Sequence, residues 1–312
     1  IRDSHWINQG FLSLRDIERL VKLNKPIVWT MHDMWPCTGI CHHARDCEKF
    51  QTECESCFFL KSKGKDLSTS VFDKKMSLYK DANITFVGCS RWLSGRAKKS
   101  YLLRGKAVLS IPNPIDTKVY HPMDQGMARE LLGLPSGKRL LLFGALNVTD
   151  KRKGIDYLIE ALRRMEKQDV ELVVFGQVKD DIRGLFPVPI HSMGYLSDES
   201  KIVALYNAVD MFITSSLEEN LPNTIMESMA CGTPCVGFEI GGIPEMIDHR
   251  VNGYVANYKD AGDLANGIQW VLEHEDRLAL SDACVKKVQE NYTEEVVAKQ
   301  YTALYEKLLK GE

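Results

Sequence analysis

Short β-rich runs alternate with single amphipathic helical stretches along most of this chain, and that alternation narrows its fold more than any other feature. Pro26-Ile27-Val28-Trp29-Thr30 and Ile84-Thr85-Phe86-Val87-Gly88 are short, β-branched and aromatic, and they end at turn residues, as buried strands do. Val108-Leu109-Ser110-Ile111 is a third run, closed by Pro112-Asn113-Pro114. The second half repeats the pattern. Residues 139–144, 171–176, 211–214 and 234–237 read as strands, and 154–167, 222–231 and 261–274 as helices. In the first of those helices Ile155, Leu158, Ile159 and Leu162 share a face. Strands joined through single helices need right-handed crossovers and a parallel sheet.

A chain of 312 residues holds about two such domains. The Pro-, Gly- and charge-rich stretch 116–138 has no clear strand and separates them. The expected fold is α/β: two Rossmann-like doubly wound parallel-sheet domains, residues 1–120 and 121–292, with a terminal helix over 293–312. The chain opens at Ile1 in what reads as mid-domain sequence, so the first domain is expected to be incomplete. Charged residues make up 26% and the formal charge is −2, so no global basic field draws nucleic acid. No apolar run approaches the ~18 residues of a membrane span.

In doubly wound folds ligands sit at the carboxyl ends of strands. The richest segment there runs from Ser215 to Glu245. Glu219 follows a strand, Pro222 suits a helix start, and Glu227 shares a helix face with Asn223 and Thr224. The first-turn N–H groups of that helix suit a phosphate, and Asn220, Leu221, Pro222, Asn223 and Thr224 around it are the candidate donor-binding residues. Glu219 and Glu227 are then placed to hold hydroxyls on either side of it. Lys151-Arg152-Lys153-Gly154 supplies cations after the strand at 139–144. His32-Asp33 follows the first strand.

This segment resembles the donor-site signature of retaining glycosyltransferases of family 4, which have the GT-B architecture of two facing Rossmann-like domains. Their pattern, Glu-x7-Glu, Ala-x-Gly-x-Pro and Gly-Gly-x-x-Glu, is matched at Glu219, Glu227, Ala230, Gly232, Pro234, Gly241, Gly242 and Glu245. The resemblance implies that Glu227 holds the donor ribose and Glu219 the sugar hydroxyls near the reacting carbon. It places Gly194 and Tyr195 at the nucleotide base, Gly144 at the donor, His32 near the donor sugar, and Lys153 at the departing diphosphate. The family's usual Arg is Ala145 here, so either Arg152 or Lys151 replaces it or the diphosphate is less stabilised than is usual in the family. Cys89-Ser90-Arg91-Trp92-Leu93 and Ile111-Pro112-Asn113-Pro114-Ile115-Asp116 match further landmarks, and the helix near 293–309 resembles one that crosses back to the first domain.

Nine cysteines are present, five of them in one window, Cys37-x3-Cys41-His42-His43-x3-Cys47-x6-Cys54-x2-Cys57. The closing Cys-x2-Cys is the tight bite of a structural zinc, with Cys41 and Cys47 (or His42) as partners. The window, 37–57, reads as an insertion shaping the acceptor side. A bacterial surface-polysaccharide branch of the family resembles it.

The resemblance implies a bacterial enzyme of polysaccharide biosynthesis. It would move a sugar from a UDP- or GDP-type nucleoside diphosphate sugar to a saccharide or lipid-linked acceptor, with retention. Cofactor expectations are no catalytic metal, since no Asp-x-Asp follows any of these strands, and one structural zinc. The expected location is the cytoplasm, with peripheral contact at the inner membrane face through the missing or the first-domain surface. Other readings are a sugar-nucleotide epimerase, a non-catalytic sugar-nucleotide binder and a zinc-dependent interaction module.

Overall fold

A computed structural model describes residues 2–5, 7, 11–148, 150–165, 169–177 and 183–311. The chain divides into two compact units, residues 1–112 with 297–312, and residues 113–296. The first division falls at Pro112-Asn113, upstream of the boundary expected at 120. The reason is local: Ile115 N–H donates to the Tyr292 carbonyl at 2.8 Å and Ile115 bridges Thr293, which ties this stretch to the second unit.

In the first unit, strands β1 (Arg2–Ser4), β2 (Ile27–Met31), β3 (Ile84–Gly88) and β4 (Ala107–Ser110) form a parallel sheet in that order. Helices α1 (Leu14–Val21), α2 (Leu67–Tyr79) and α3 (Arg91–Lys99) connect them. β2 and β3 are buried along their whole length, as a strand covered on both faces must be. Trp29 stacks on Phe86 at 5.8 Å, with Tyr79 edge-on to both. Ser90 accepts from Leu93 N–H at 2.9 Å and so caps α3.

In the second unit α4 (Gln125–Leu132) precedes β5 (Arg139–Asn147), α5 (Ile155–Arg164), β6 (Val170–Gln177), β7 (Ile190–Gly194), α6 (Glu199–Ala208) and β8 (Met211–Thr214). α7 (Asn223–Ala230), β9 (Cys235–Phe238), the single turn α8 (Ile243–Met246), β10 (Gly253–Ala256), α9 (Ala261–Leu272) and α10 (Arg277–Asn291) complete it. The six strands are parallel in the order β10-β9-β8-β5-β6-β7. Chain order reverses between β5 and β8, the switch point where such sheets bind ligands. α5 ends at Arg164, before the expected end at Lys167, which lies outside the described residues. β10 was not read from sequence.

The terminal helix α11 (Glu294–Lys310) places Val297 and Leu304 against Val28, Val87 and Ile111 of the first unit. Tyr301 and Thr30 hydroxyls bond at 2.9 Å.

Candidate functional site

Three loops meet at the carboxyl end of the second unit's sheet. The loop after β5 ends in a 3-10 turn, Lys151–Lys153, capped by Asp150. Gly154 follows at φ 64°, and a Cβ there would lie 2.0 Å from the Ser215 carbonyl oxygen, so only glycine lets this loop press against the one after β8. The two loops are stitched: Leu217 N–H donates to the Arg152 carbonyl at 2.7 Å, and Ser215 Oγ to the Lys153 carbonyl at 3.0 Å. The loop after β9 joins through Gly242 N–H, which donates to the Asn220 carbonyl at 2.5 Å. Tyr258 Oη donates to the Leu217 carbonyl at 3.0 Å.

This scaffold brings Lys153 Nζ onto Glu219 Oε1 as an ion pair, with the carboxylate side chain only 14% exposed. A cation from the β5 loop and an acid from the β8 loop therefore meet across the switch point. Glu227 sits on α7 and accepts from Tyr206 Oη at 2.8 Å. Burial raises its carboxyl above the usual range, opposed by the Tyr206 bond. Asn220, Leu221 and Pro222 are buried, Asn223 is exposed and Thr224 half-buried at the start of α7. Pro222 is the N-cap and makes no side-chain cap bond, which leaves first-turn donors without that partner. Asn223 accepts from Asn113 Nδ2 at 3.3 Å.

β5 runs past Gly144 to Asn147, and a Cβ at Gly144 would lie 1.8 Å from the Phe175 ring. Its missing side chain makes room for that ring. Arg152, the expected substitute for the absent Arg, turns back on Asp150, with Nη2 at 2.6 Å and Nε at 3.2 and 3.1 Å. Gly194 ends β7 at φ 63° and Tyr195 is exposed. Tyr206 lies on α6, far from Glu227 in sequence, and no local signal announces the pair.

In the first unit His32 follows β2, with Nε2 3.1 Å from His5 Nδ1. Burial, then His5, lowers its pKa, so the neutral ring is favoured near neutrality. Asp33 accepts from Trp35 N–H at 2.7 Å and lies 2.7 Å from His42 Nδ1. The long connection from β2 to α2 has only three 3-10 turns, Trp35–Cys37, Lys49–Gln51 and Phe58–Leu60. A fully buried lysine holds it: Lys75 Nζ donates to the carbonyls of Trp35, Thr38 and Gly39 at 2.6, 3.0 and 3.1 Å, and lies 3.4 Å from the Trp35 ring centroid. Burial pulls its pKa down to about 7, yet three carbonyls and a ring face match an ammonium's donors.

Cys41, Cys47, Cys54 and Cys57 line one cavity of about 290 Å³ with Ala44, Phe58 and Phe59. Their chemistry suits zinc. Among the described residues no three His, Cys, Asp or Glu are grouped to hold an ion as they stand, so a metal here would have to draw the thiols together. Burial raises the pKa of Cys41 and pushes that of Cys54 up to about 11, so the Cys41 and Cys54 thiols are held protonated near neutrality.

Residues 137–274 match the family model for glycosyl transferases group 1. N-acetyl-α-D-glucosaminyl L-malate synthase of Bacillus anthracis is 24% identical over 213 residues, covering 66% of this chain and 55% of that protein. An N,N'-diacetylbacillosaminyl-diphospho-undecaprenol α-1,3-N-acetylgalactosaminyltransferase of Campylobacter jejuni is 33% identical over 118 residues, 38% of this chain and 31% of that one. The chain thus spans about half the length, or less, of these curated relatives. Among solved structures, a glycosyltransferase from Rickettsia africae aligns over 100% of this chain and 78% of its own, with TM-score 0.75 and 18% identity. Anabaena HepE, solved with UDP, aligns over 94% and 77%, with TM-score 0.73 and 17% identity. At these identities the structures establish the fold, two parallel-sheet α/β domains of the GT-B class.

Proposed function

We propose, from the premise that residues 137–274 form a glycosyl transferases group 1 domain on a GT-B fold, that this chain is a retaining sugar transferase using a nucleoside diphosphate sugar. The observation that carries the reading is the Lys153–Glu219 pair across the β5/β8 switch point, with Glu227 on the helix that follows. The diphosphate sits at the start of α7, where helix N–H groups and Lys153 stabilise the charge that develops on leaving. Glu227 accepts from the ribose hydroxyls and Glu219 from the sugar hydroxyls, each as an ionised acceptor. The bond from the sugar to the diphosphate breaks. The acceptor oxygen bonds to the same carbon on the same face, and its proton passes to the departing phosphate. His32, held neutral, is suited to hydrogen-bond a hydroxyl.

HepE has been solved with UDP-glucose, which supports a uridine donor, and the Campylobacter relative's name supports a lipid-linked acceptor. Since Lys153 and the helix start carry the charge, turnover is expected to survive brief EDTA treatment. A structural zinc remains our proposal for the four thiols: binding would deprotonate them and draw them together. Metal analysis finding no zinc in protein purified under reducing conditions overturns it.

The deciding experiment incubates the chain with UDP-sugars and GDP-sugars, with and without a saccharide or lipid-linked acceptor. Nucleoside diphosphate released only with acceptor, and a product of unchanged anomeric configuration, are the expected results. Release without any acceptor, or inversion, overturns the reading.

A further inference from the structure

We propose that the loop closed between Ser56 and Asp66 is a docking tip that seats Phe58, Phe59 and Leu60 in a lipid surface bearing anionic headgroups. The loop is built to present those residues. Ser56 N–H donates to the Gly64 carbonyl at 2.8 Å and Gly64 N–H to Ser56 Oγ at 2.8 Å, so the two strands of the loop clasp each other. Asp66 closes the base: its Oδ2 accepts from Cys57 N–H at 2.8 Å and from the Ser62 hydroxyl. Its Oδ1 accepts from Ser68 and Thr69 N–H at 2.8 and 3.3 Å, and so locks the loop onto the first turn of α2. Lys49 Nζ donates to the carbonyls of Glu55 and Ser56 at 3.0 and 3.2 Å on the other side.

A frame held at this many points loses little freedom when its tip is buried, which favours binding. At the tip Phe58 is 65% exposed, Phe59 46% and Leu60 38%, with Leu67 59% exposed at the base. Three neighbouring large apolar residues gain nothing from water, and Phe58 keeps most of its surface there.

Charge identifies the occupant. From Cys57 to Lys65 the loop has Lys61, Lys63 and Lys65 and no acid. All three are exposed, and among the described residues none of them lies within ion-pair distance of a carboxylate. Arg45 adds a guanidinium 5.6 and 5.3 Å from the Phe58 and Phe59 ring centroids. Aromatic and leucine side chains ringed by cations match the boundary between acyl chains and anionic headgroups. The acids Glu53 and Glu55 precede the clasp and lie outside the tip. The tip ends the same connection that begins at His32 and Asp33, so docking would hold that part of the first unit near a membrane. The inference does not depend on the donor-site reading, because its test reads binding without turnover.

The test sediments the full chain with vesicles of phosphatidylcholine alone and of phosphatidylcholine mixed equally with phosphatidylglycerol. Binding to the mixed vesicles, weak binding to the neutral ones and loss at high salt are expected. A chain with Lys61→Ala, Lys63→Ala and Lys65→Ala should bind the mixed vesicles about a hundredfold more weakly, at about fivefold per lysine. Phe58→Ser with Phe59→Ser should lower binding at least about tenfold. The lysine variant changes only exposed side chains, so its unaltered melting separates lost docking from lost folding. No binding by the parent chain, equal binding to both vesicles, or lysine variants that bind like the parent overturn the proposal. So does an apolar tip that instead drives self-association without lipid.

Discussion

Glu227 is the residue at which burial and chemistry meet most directly. Its carboxyl is raised by burial and bonded by Tyr206. A ribose needs the ionised form, so nucleotide affinity should fall as pH drops toward the raised value, earlier than for an ordinary carboxylate. Calorimetry against pH checks this, and Glu227→Gln should abolish that pH dependence while costing at least ~1 kcal/mol of affinity. Unchanged affinity in the variant removes Glu227 from the site. Glu219→Gln should spare nucleotide binding and lower turnover of the sugar donor. Lys153→Ala should reduce turnover more than Arg152→Ala, because Asp150 already neutralises Arg152. Equal losses would return Arg152 to the diphosphate. Away from the donor site, Lys75→Met would leave three buried carbonyls without a donor, and a loss of ~3 kcal/mol or more is expected in denaturant titrations. A stability within ~1 kcal/mol of the parent would show that water reaches those carbonyls.

The elements that place the site are held by contacts at their ends. α4 is tied to the end of α6 by Arg129, only 5% exposed, whose Nε donates to the Ala208 carbonyl at 2.7 Å and whose Nη2 lies 3.0 Å from Asp210. Arg139 and Arg277 also reach Asp210, at 3.4 and 2.7 Å. Arg129→Met should cost ~2 kcal/mol or more, since the Ala208, Ser136 and Lys138 carbonyls lose their donor while Asp210 keeps Arg139 and Arg277; chemical denaturation measures it. The loops after β5 and β8 depend on Gly154. Gly154→Ala should weaken nucleotide binding and turnover together by displacing both loops, whereas an unaltered binding isotherm would mean the backbone absorbs the clash elsewhere.

Each unit has its own sheet and core, so heat should not unfold the whole chain in one two-state step. A nucleoside diphosphate at a hundredfold excess over its dissociation constant should stabilise the unit that binds it by about 2.7 kcal/mol. Scanning calorimetry should show the transition of residues 113–296 move and the other stay. A shift confined to the other transition would place the nucleotide in the first unit. Most strands of both units were legible because a buried parallel strand is a short apolar run ending at a turn, a pattern written in consecutive residues. The places of Glu219 after β8 and of Glu227 on the following helix were legible for the same reason, since both depend on neighbours along the chain. The strand order was not. Nor were the turn of Arg152 onto Asp150, the Phe175 ring over Gly144, the Tyr206 bond to Glu227 and the Lys75 clamp. The sequence by itself determined most of the strands, several of the helices and which acids follow them, since those depend on neighbours along the chain. Only the tertiary structure decided which loops share the switch point and which side chains are already partnered, because those contacts join residues that local periodicity cannot relate.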